Sequence, residues 1–224
     1  MKTGMRLETR ASRGFTLVEV LIAVFILSIV LTTVYVSYSQ TLRTARQMEE
    51  ESALYGMARV AMDRLIKDLT SLQPSEGSFY FSAEKKKLGT RDFAHLSLWS
   101  AGHLALSETD TTGRPAMITY YAAEQNDQQG FSLFRADVFG AKPQAEEKSA
   151  PGFVICKNVD AFRLTFYDEA GIETDSWNAS GAPGDSKRSL PAAVKIELFL
   201  VNPQDAKNPF KFMTKVFLPA AQKL

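Results

Sequence analysis

The sequence predicts an α+β protein with one long N-terminal helix followed by a mainly antiparallel β-sheet domain. Residues 20–36 are almost wholly apolar, and an amphipathic stripe of helical period continues to Leu72. From Ser78 onward, short apolar and aromatic runs alternate with polar segments that contain Gly or Pro. The 224 residues are 45% hydrophobic and 23% charged, which is typical of a folded protein.

The first apolar segment is long enough to cross a bilayer. No charged residue lies between Val20 and Leu42, and a transmembrane helix needs about 20 apolar residues. The preceding residues 1–14 carry four basic side chains and one acidic side chain. Because basic flanks stay in the cytoplasm, we expect the N-terminus there and the remainder of the chain on the other side of the membrane.

Three interpretations of this segment compete: a cleaved secretory signal, a plain membrane anchor, and an anchor used for assembly. A weak signal-cleavage site lies at residues 37–39, but the apolar run exceeds the roughly 7–15 residues of a signal. A plain anchor leaves the Glu19 carboxylate among apolar residues, at a cost of roughly 2.5 kcal/mol or more unless it is paired or near the interface. A cut between Gly14 and Phe15 would create an α-amino group that Glu19 of a neighbouring subunit could pair with.

These residues resemble a known processing motif. Residues 13–23 read RGFTLVEVLIA, which is similar to the prepilin cleavage and methylation motif of type IV pilins and type II secretion pseudopilins. The resemblance implies a pilin-like fold and cleavage by a prepilin peptidase between Gly14 and Phe15. It also implies N-methylation of Phe15 by the same enzyme, and a role for Glu19 as the assembly carboxylate.

The expected domain organisation follows from these segments. Residues 1–14 are a basic prepilin leader that is cleaved, and residues 15–38 are a transmembrane helix. Residues 39–73 continue as an amphipathic periplasmic helix that packs on the body, and residues 74–224 form a β-rich periplasmic domain. Pro74 is expected to end the helix near residue 73.

The amphipathic part of the helix carries one continuous apolar stripe, which is expected to pack on the chain's own domain. Polar residues, among them Asp63, Arg64 and Asp68, are interpreted as lying mostly between the members of this stripe. The stripe consists of Leu54, Met57, Ala58, Ala61, Met62, Leu65, Ile66, Leu69 and Leu72.

Seven strands and several loops are predicted in the body from the alternation of apolar runs with turn-forming clusters. The lysines at 85–87 and the basic pair at 187–188 are interpreted as solvated turns, and Gly171 as a turn. The predicted strands are 79–81, 93–99, 117–122, 131–139, 161–167, 193–201 and 210–218. The predicted loops are 109–115, 125–130, 141–151 and 178–189.

No catalytic residue, cofactor or metal site is predicted. His95 and His103 have no partners at ligand spacing and are expected to be surface or strand residues. Acidic residues within 168–175 could bind calcium, but their spacing is not that of an EF-hand. No clustered basic face indicates nucleic-acid binding. Cys156 follows an apolar run and is expected to be a small buried hydrophobe.

A second resemblance lies in the body. Residues 162–171, FRLTFYDEAG, then Trp177, then 190–198, LPAAVKIEL, resemble the J-type minor pseudopilin of type II secretion. The run 215–219 is similar to that family's ending, whereas a second tryptophan expected after Gly171 is missing.

The two resemblances together imply a non-enzymatic subunit at the tip of a periplasmic pseudopilus that helps to export folded proteins. They imply a single-pass protein of the bacterial inner membrane, with a cytoplasmic N-terminus and a periplasmic C-terminal domain. The implied partners are a prepilin peptidase, the I-type and K-type minor pseudopilins and inner-membrane lipid. Two alternatives stay open: a minor type IV pilin serving adhesion, motility or DNA uptake, and a membrane-tethered periplasmic binding or enzymatic domain.

Overall fold

The computed structural model of the protein describes residues 14–73, 79–104, 115–124, 130–138, 152–181, 190–205 and 207–219. The chain divides into two compact units, Met1–Ser52 and Ala53–Leu224. The helix α1 spans Leu17–Thr70. The strands are β1 Phe79–Leu88, β2 Arg91–Ser100, β3 Ala116–Glu124, β4 Phe131–Val138, β5 Phe153–Tyr167, β6 Glu173–Thr174, β7 Trp177–Gly181, β8 Ala193–Leu200 and β9 Phe210–Phe217.

The described part of the first unit is helical from Leu17 onward. Its side chains between residues 17 and 52 are almost all exposed, including the apolar ones of the long uncharged segment. The long N-terminal helix expected from the sequence is therefore confirmed. Residues 1–13 of the predicted leader lie outside the described residues.

In the second unit, the remainder of α1 packs on the sheet through the predicted stripe. Seven of the stripe's residues are buried, and Met57 and Ile66 are partly buried against the same core. One interpretation was wrong: Asp68 is completely buried rather than lying outside the stripe. The helix ends at Thr70, Leu72 then forms a bridge with Ser100, and Pro74 lies outside the described residues.

In the part of the chain that the structure describes, nine strands form one sheet, and every pairing between them is antiparallel. The order is β7-β1-β2-β3-β4-β5-β8-β9, and the short β6 pairs with the end of β5. The α+β class, with one long helix followed by an antiparallel sheet, is therefore confirmed. The sheet curls around its core, because Phe81 of β1 meets Phe166 of β5 edge-on at a ring-centroid distance of 5.8 Å.

All seven predicted strands are present, although several are longer than expected. The sequence interpretation was wrong at two places. The lysines at 85–87 lie in β1 and pair with β2, and the turn comes after them, where Gly89 has a φ of 60°. Residues 178–181, expected to be loop, form β7 and pair with β1. The remaining predicted loop segments 109–114, 125–129, 141–151 and 182–189, and the basic pair at 187–188, lie outside the described residues.

The longest strand, β5, joins the two halves of the sheet. Its first part pairs with β4 and its second part with β8, and the registers shift on both sides near Val159. Asn158 lies at this irregularity with a φ of 56°, a backbone region that asparagine tolerates better than most residues. Cys156 on this strand is buried, as expected.

Candidate assembly segment and a buried ion cluster

The start of α1 is built by a helix cap. Gly14, Phe15 and Thr16 precede the helix without regular structure. The backbone N–H of Glu19 donates a hydrogen bond to the Thr16 hydroxyl at 3.3 Å, which is how an N-cap residue satisfies a free donor of the first turn. Thr-x-x-Glu is also the spacing of a capping box. Thr16 therefore fixes the point at which the helix begins.

Glu19 lies in the first turn of α1 and is exposed. A carboxylate is favoured there because the free backbone N–H groups give a helix a partial positive charge at its N-terminus. Phe15 is 78% exposed. The structure thus places the predicted processing residues, Gly14 and Phe15, and the predicted assembly residue, Glu19, together at one exposed helix start.

The segment after Glu19 has the chemistry of a membrane anchor. The helix α1 includes an 18-residue window with a mean hydropathy of 2.7, and none of this window is buried. The hydroxyls of Ser28, Thr32 and Thr33 donate to backbone carbonyls one turn earlier, at 2.7–2.8 Å. These polar groups therefore need no water, which is what a helix in a lipid environment requires.

The second unit contains a buried ion cluster that the sequence did not predict. We define it as Arg64, Asp68, Tyr120, Arg135, Asp137 and His103. Asp68 of α1 and Arg135 of β4 form its centre, and both are 0% exposed. Arg135 Nε donates to Asp68 Oδ2 at 2.7 Å, and Arg64 Nη2 lies 2.9 Å from Asp68 Oδ1. The Tyr120 hydroxyl donates to Asp68 Oδ2 at 2.5 Å.

The cluster also fixes the segment that follows β2. Arg135 donates to the carbonyl of Gly102 at 3.0 Å and to Asp137 Oδ2 at 2.8 Å. Asp137 in turn accepts the backbone N–H of Leu104 at 3.0 Å, and its Oδ1 lies 2.7 Å from Nδ1 of His103. His103 is therefore a buried partner of a carboxylate, and the expectation of a surface or strand residue was wrong. His95, by contrast, lies on β2 as expected.

The electrostatics of the cluster favour the charged forms of Arg135 and Asp137 and the neutral form of Tyr120. Burial by itself would lower the pKa of Arg135, but the hydrogen bond and the charge of Asp68 outweigh it, and the pKa is raised. Burial also opposes ionisation of Asp137, yet hydrogen bonds from Leu104, His103 and Arg135 lower its pKa. The pKa of Tyr120 is raised well above its usual value by burial and then by the negative charge of Asp68. Two arginines thus balance two carboxylates.

The cluster joins α1 to the sheet through the hydrogen bonds between Asp68 of α1 and Arg135 of β4. Within the described ranges, no group of three or more His, Cys, Asp and Glu residues is placed to hold a metal ion. Two of the acidic residues near Gly171 have partners within the chain: Asp168 accepts the N–H of Ile172 at 2.8 Å, and Asp175 lies 2.6 Å from Lys85 Nζ.

A signal for the cluster did exist in the sequence. Asp68 falls three residues after Leu65 and four before Leu72, and is therefore on the apolar stripe itself. Arg135 falls two residues after the buried Leu133, on the inward-facing side of β4. Two opposite charges at core positions indicate a buried pair, although the sequence alone does not show that they meet.

Comparison with known proteins identifies one feature of the chain. A profile described as the prokaryotic N-terminal methylation motif matches residues 9–35. The chain carries this motif. No curated protein matches the chain. Among solved structures, a type IV-like pilin from Thermus thermophilus is similar with 13% sequence identity and a TM-score of 0.44, over 76% of this chain and 97% of that one.

Proposed function

We propose that this protein is a non-enzymatic minor pseudopilin of a type II secretion system, of the J type, and forms part of the pseudopilus tip that helps to export folded proteins from the periplasm. One observation carries the proposal. The methylation motif over residues 9–35 ends in an exposed apolar helix whose first turn presents a single carboxylate, Glu19. The body's resemblance to the J type supports the choice within the pilin-like class.

The first step is processing by a prepilin peptidase between Gly14 and Phe15, followed by N-methylation of Phe15. Both residues precede the helix and are exposed, so the scissile bond does not have to be extracted from helical structure. The new amine would lie one residue before the Thr16 cap. The mature subunit would therefore begin almost where α1 begins.

The second step is assembly through Glu19. The positive end of its own helix stabilises this carboxylate, but a charge surrounded by lipid and apolar neighbours still gains from a direct partner. The methylated amine of Phe15 on a neighbouring subunit is such a partner. Pairing between subunits neutralises both groups and sets the axial register of the fibre.

The topology follows from the charge and apolar pattern of the chain. Residues 15–38 span the inner membrane once, with residues 1–14 on the cytoplasmic side before cleavage. Residues 39–73 and 74–224 are periplasmic. In this location the second unit is available to the I-type and K-type minor pseudopilins and to the growing pseudopilus.

The proposal is tested first by the mature N-terminus. The full-length protein is produced with and without a prepilin peptidase, purified from membranes and measured by intact mass and N-terminal fragmentation. We expect a chain that begins with N-methylated Phe15 only when the peptidase is present, and no cut in a Gly14→Leu variant. A membrane protein that still begins at Met1 with the peptidase present would contradict the proposal and favour a tethered periplasmic domain.

The role of Glu19 is tested by Glu19→Ala and Glu19→Leu, with Glu49→Ala as the matched control on the exposed surface of the same helix. Both Glu19 variants should insert normally, because removing a charge makes the segment more apolar. Both should co-assemble less than the wild type and the control. Normal co-assembly of either variant would show that the carboxylate is dispensable.

The choice of system is tested by co-expressing the full chain with candidate I-type and K-type minor pseudopilins. A stable complex that survives purification supports the tip assignment. If the mature N-terminus is correct but neither partner binds, the result contradicts the tip assignment and favours the alternative, a minor type IV pilin. The experiments therefore distinguish a failure of the processing proposal from a failure of the tip assignment.

A further inference from the structure

Strand β9 forms a long, regular edge of the sheet. Among the strands that the structure describes, β9 is paired only with β8. This pairing runs from Phe210 to Phe217 without a register shift. The opposite edge, β7, has five residues, compared with eight in β9. A long, regular edge presents backbone N–H and C=O groups that can pair with a further strand.

Among the residues that the structure describes, β9 lacks the usual devices that blunt such an edge. The strand has no proline and no bulge. It carries two lysines, which often block an edge, but both turn back over the sheet. Lys211 Nζ lies 2.7 Å from Glu197 Oε1 on β8, and Lys215 Nζ lies 3.3 Å from the ring centroid of Tyr167 on β5. The ammonium groups therefore lie above the sheet rather than beyond its edge.

The two faces of β9 differ in how well they are covered. On one face, the Tyr55 ring of α1 packs against Phe210 and Phe212 at centroid distances of 5.6 and 5.3 Å. On the other face, Met213 is 58% exposed and Phe217 is 64% exposed. An added strand would find apolar neighbours on both of its faces.

The open face next to β9 has a surplus of positive charge. By the register of β5, β8 and β9, alternate residues of these strands share this face. Its acidic members are Glu197 on β8 and Glu173, which lies on β6 at the far side of β5 and accepts a hydrogen bond from Tyr167. Its basic members are Arg163, Lys195, Lys211 and Lys215.

We propose that β9 accepts an additional antiparallel strand from a partner protein. The chemistry of this strand follows from the register. It carries carboxylates opposite Lys211 and Lys215, and apolar side chains opposite Met213 and Phe217. Main-chain hydrogen bonds supply the affinity of such a strand, and its alternate side chains supply the specificity.

A second copy of this chain fits the edge less well than an acidic strand. β9 has no acidic residue, so a second β9 strand offers these lysines no carboxylate in any register, and pairing about Met213 would set Lys211 of each copy opposite Lys215 of the other. Like charges in directly opposite positions destabilise a strand pair. The inference rests on the sheet of the second unit alone and does not depend on the proposed function.

The test measures binding of a fluorescent strand peptide to the full-length protein in detergent, by fluorescence anisotropy. The peptide has the length of β9 and the sequence Ile-Thr-Glu-Thr-Ile-Val-Glu-Thr, which places its two glutamates opposite the two lysines. Two control peptides have lysine in place of glutamate, or N-methyl groups at alternate backbone nitrogens. We expect saturable binding of the acidic peptide, with slower amide hydrogen exchange in β9, and much weaker binding of both controls.

A matched pair of variants locates the binding site. Lys215→Gln removes one cross-strand charge pair and should weaken binding roughly two- to fivefold. Lys87→Gln removes an exposed strand lysine on β1, several strands away in the sheet order, and should change nothing. The proposal is overturned if the acidic peptide does not bind, if either control peptide binds equally well, or if both variants bind like the wild type. Dimers in sedimentation that the peptide dissociates would identify a second copy as the occupant and also overturn it.

Discussion

Replacing Asp68 by asparagine tests the buried ion cluster most directly. The substitution keeps the size and shape of the side chain and removes its charge. In the wild type, this carboxylate accepts hydrogen bonds from Arg135 at 2.7 Å and from Tyr120 at 2.5 Å, and it forms an ion pair with Arg64 at 2.9 Å. The variant leaves the Arg135 guanidinium buried with one carboxylate, Asp137, instead of two.

The size of the effect follows from this loss. Removing one partner of a buried ion pair typically costs about 3–5 kcal/mol. Because Asp137 still neutralises part of the Arg135 charge, we expect Asp68→Asn to lose about 3 kcal/mol, at the lower end of that range. For a domain of this size, such a loss corresponds to a fall in Tm of roughly 6–12 °C.

The assay is thermal unfolding of the full-length protein in detergent, followed by the fluorescence of Trp99 and Trp177, which lie on strands β2 and β7 of the sheet. Asp63→Asn is the matched control, because Asp63 lies on the same helix but its side chain is 60% exposed. Its ion pair with Arg59 is long, at 4.0 Å, and exposed to solvent. The free energy of unfolding of the Asp63→Asn variant should stay within about 0.5 kcal/mol of the wild-type value.

A combined variant separates the loss of charge balance from the loss of packing. Replacing Arg135 together with its side-chain partners, as Arg135→Met, Asp68→Leu, Tyr120→Phe and Asp137→Asn, leaves neither the guanidinium nor one of its carboxylates buried without a partner. This variant should recover most of the stability, since apolar replacement of buried ion pairs is often neutral. If the Asp68→Asn variant has the same Tm as the Asp63→Asn variant, the structural role of the cluster is refuted. A combined variant less stable than Asp68→Asn would refute the electrostatic explanation.

Three further predictions concern the second unit. Gly102→Ala should lower the Tm by several degrees, because a Cβ there would overlap Oδ1 of Asp68, whereas Gly89→Asn, at an open turn position with a φ of 60°, should be tolerated. The thiol of Cys156 should react slowly with alkylating reagents at pH 8 in the native protein and rapidly in denaturant, because burial raises its pKa to about 12. The folded-state pKa of Asp137 is lowered from its usual 3.8, so its contribution to stability is present above that value and is lost as the pH falls through the lower folded-state pKa. Asp137→Asn should therefore lose less stability than the wild type between pH 5 and pH 3, and an identical loss would contradict the assigned pKa shift.

The helix and most of the strands could be predicted because their signals are local. The stripe that includes Leu54, Leu65 and Leu69 has a period that only a helix buries on one face. The same locality explains the error at the lysines of 85–87. A run of three charges is typical of a turn, but pairing with β2 holds these residues in a strand. Tertiary context overrides local preference in such cases.

The candidate sites also differ in whether a local sequence signal predicts them. Gly14, Phe15 and Glu19 lie within a few residues of one another, so a short motif is sufficient to predict them. The buried ion cluster joins Asp68 to a partner 67 residues later, and the exposed edge of β9 exists only because β8 and β9 are the last strands in the order. The sequence places Asp68 and Arg135 at core positions, but no single segment shows that they meet or that the edge of β9 is open.

The position of β7 has a consequence for how the sheet is completed as the chain is made. Strands β1 to β4 pair with their neighbours in sequence, so these hairpins can form as the chain lengthens. The outer edge of β1 is covered only by β7, whose Gly181 pairs with Phe79. Until that late segment has been synthesised, β1 is an uncovered strand on a half-built sheet, and such nascent edges are where neighbouring chains aggregate. The five residues of β7 thus cover the edge of β1 only after most of the sheet has been synthesised.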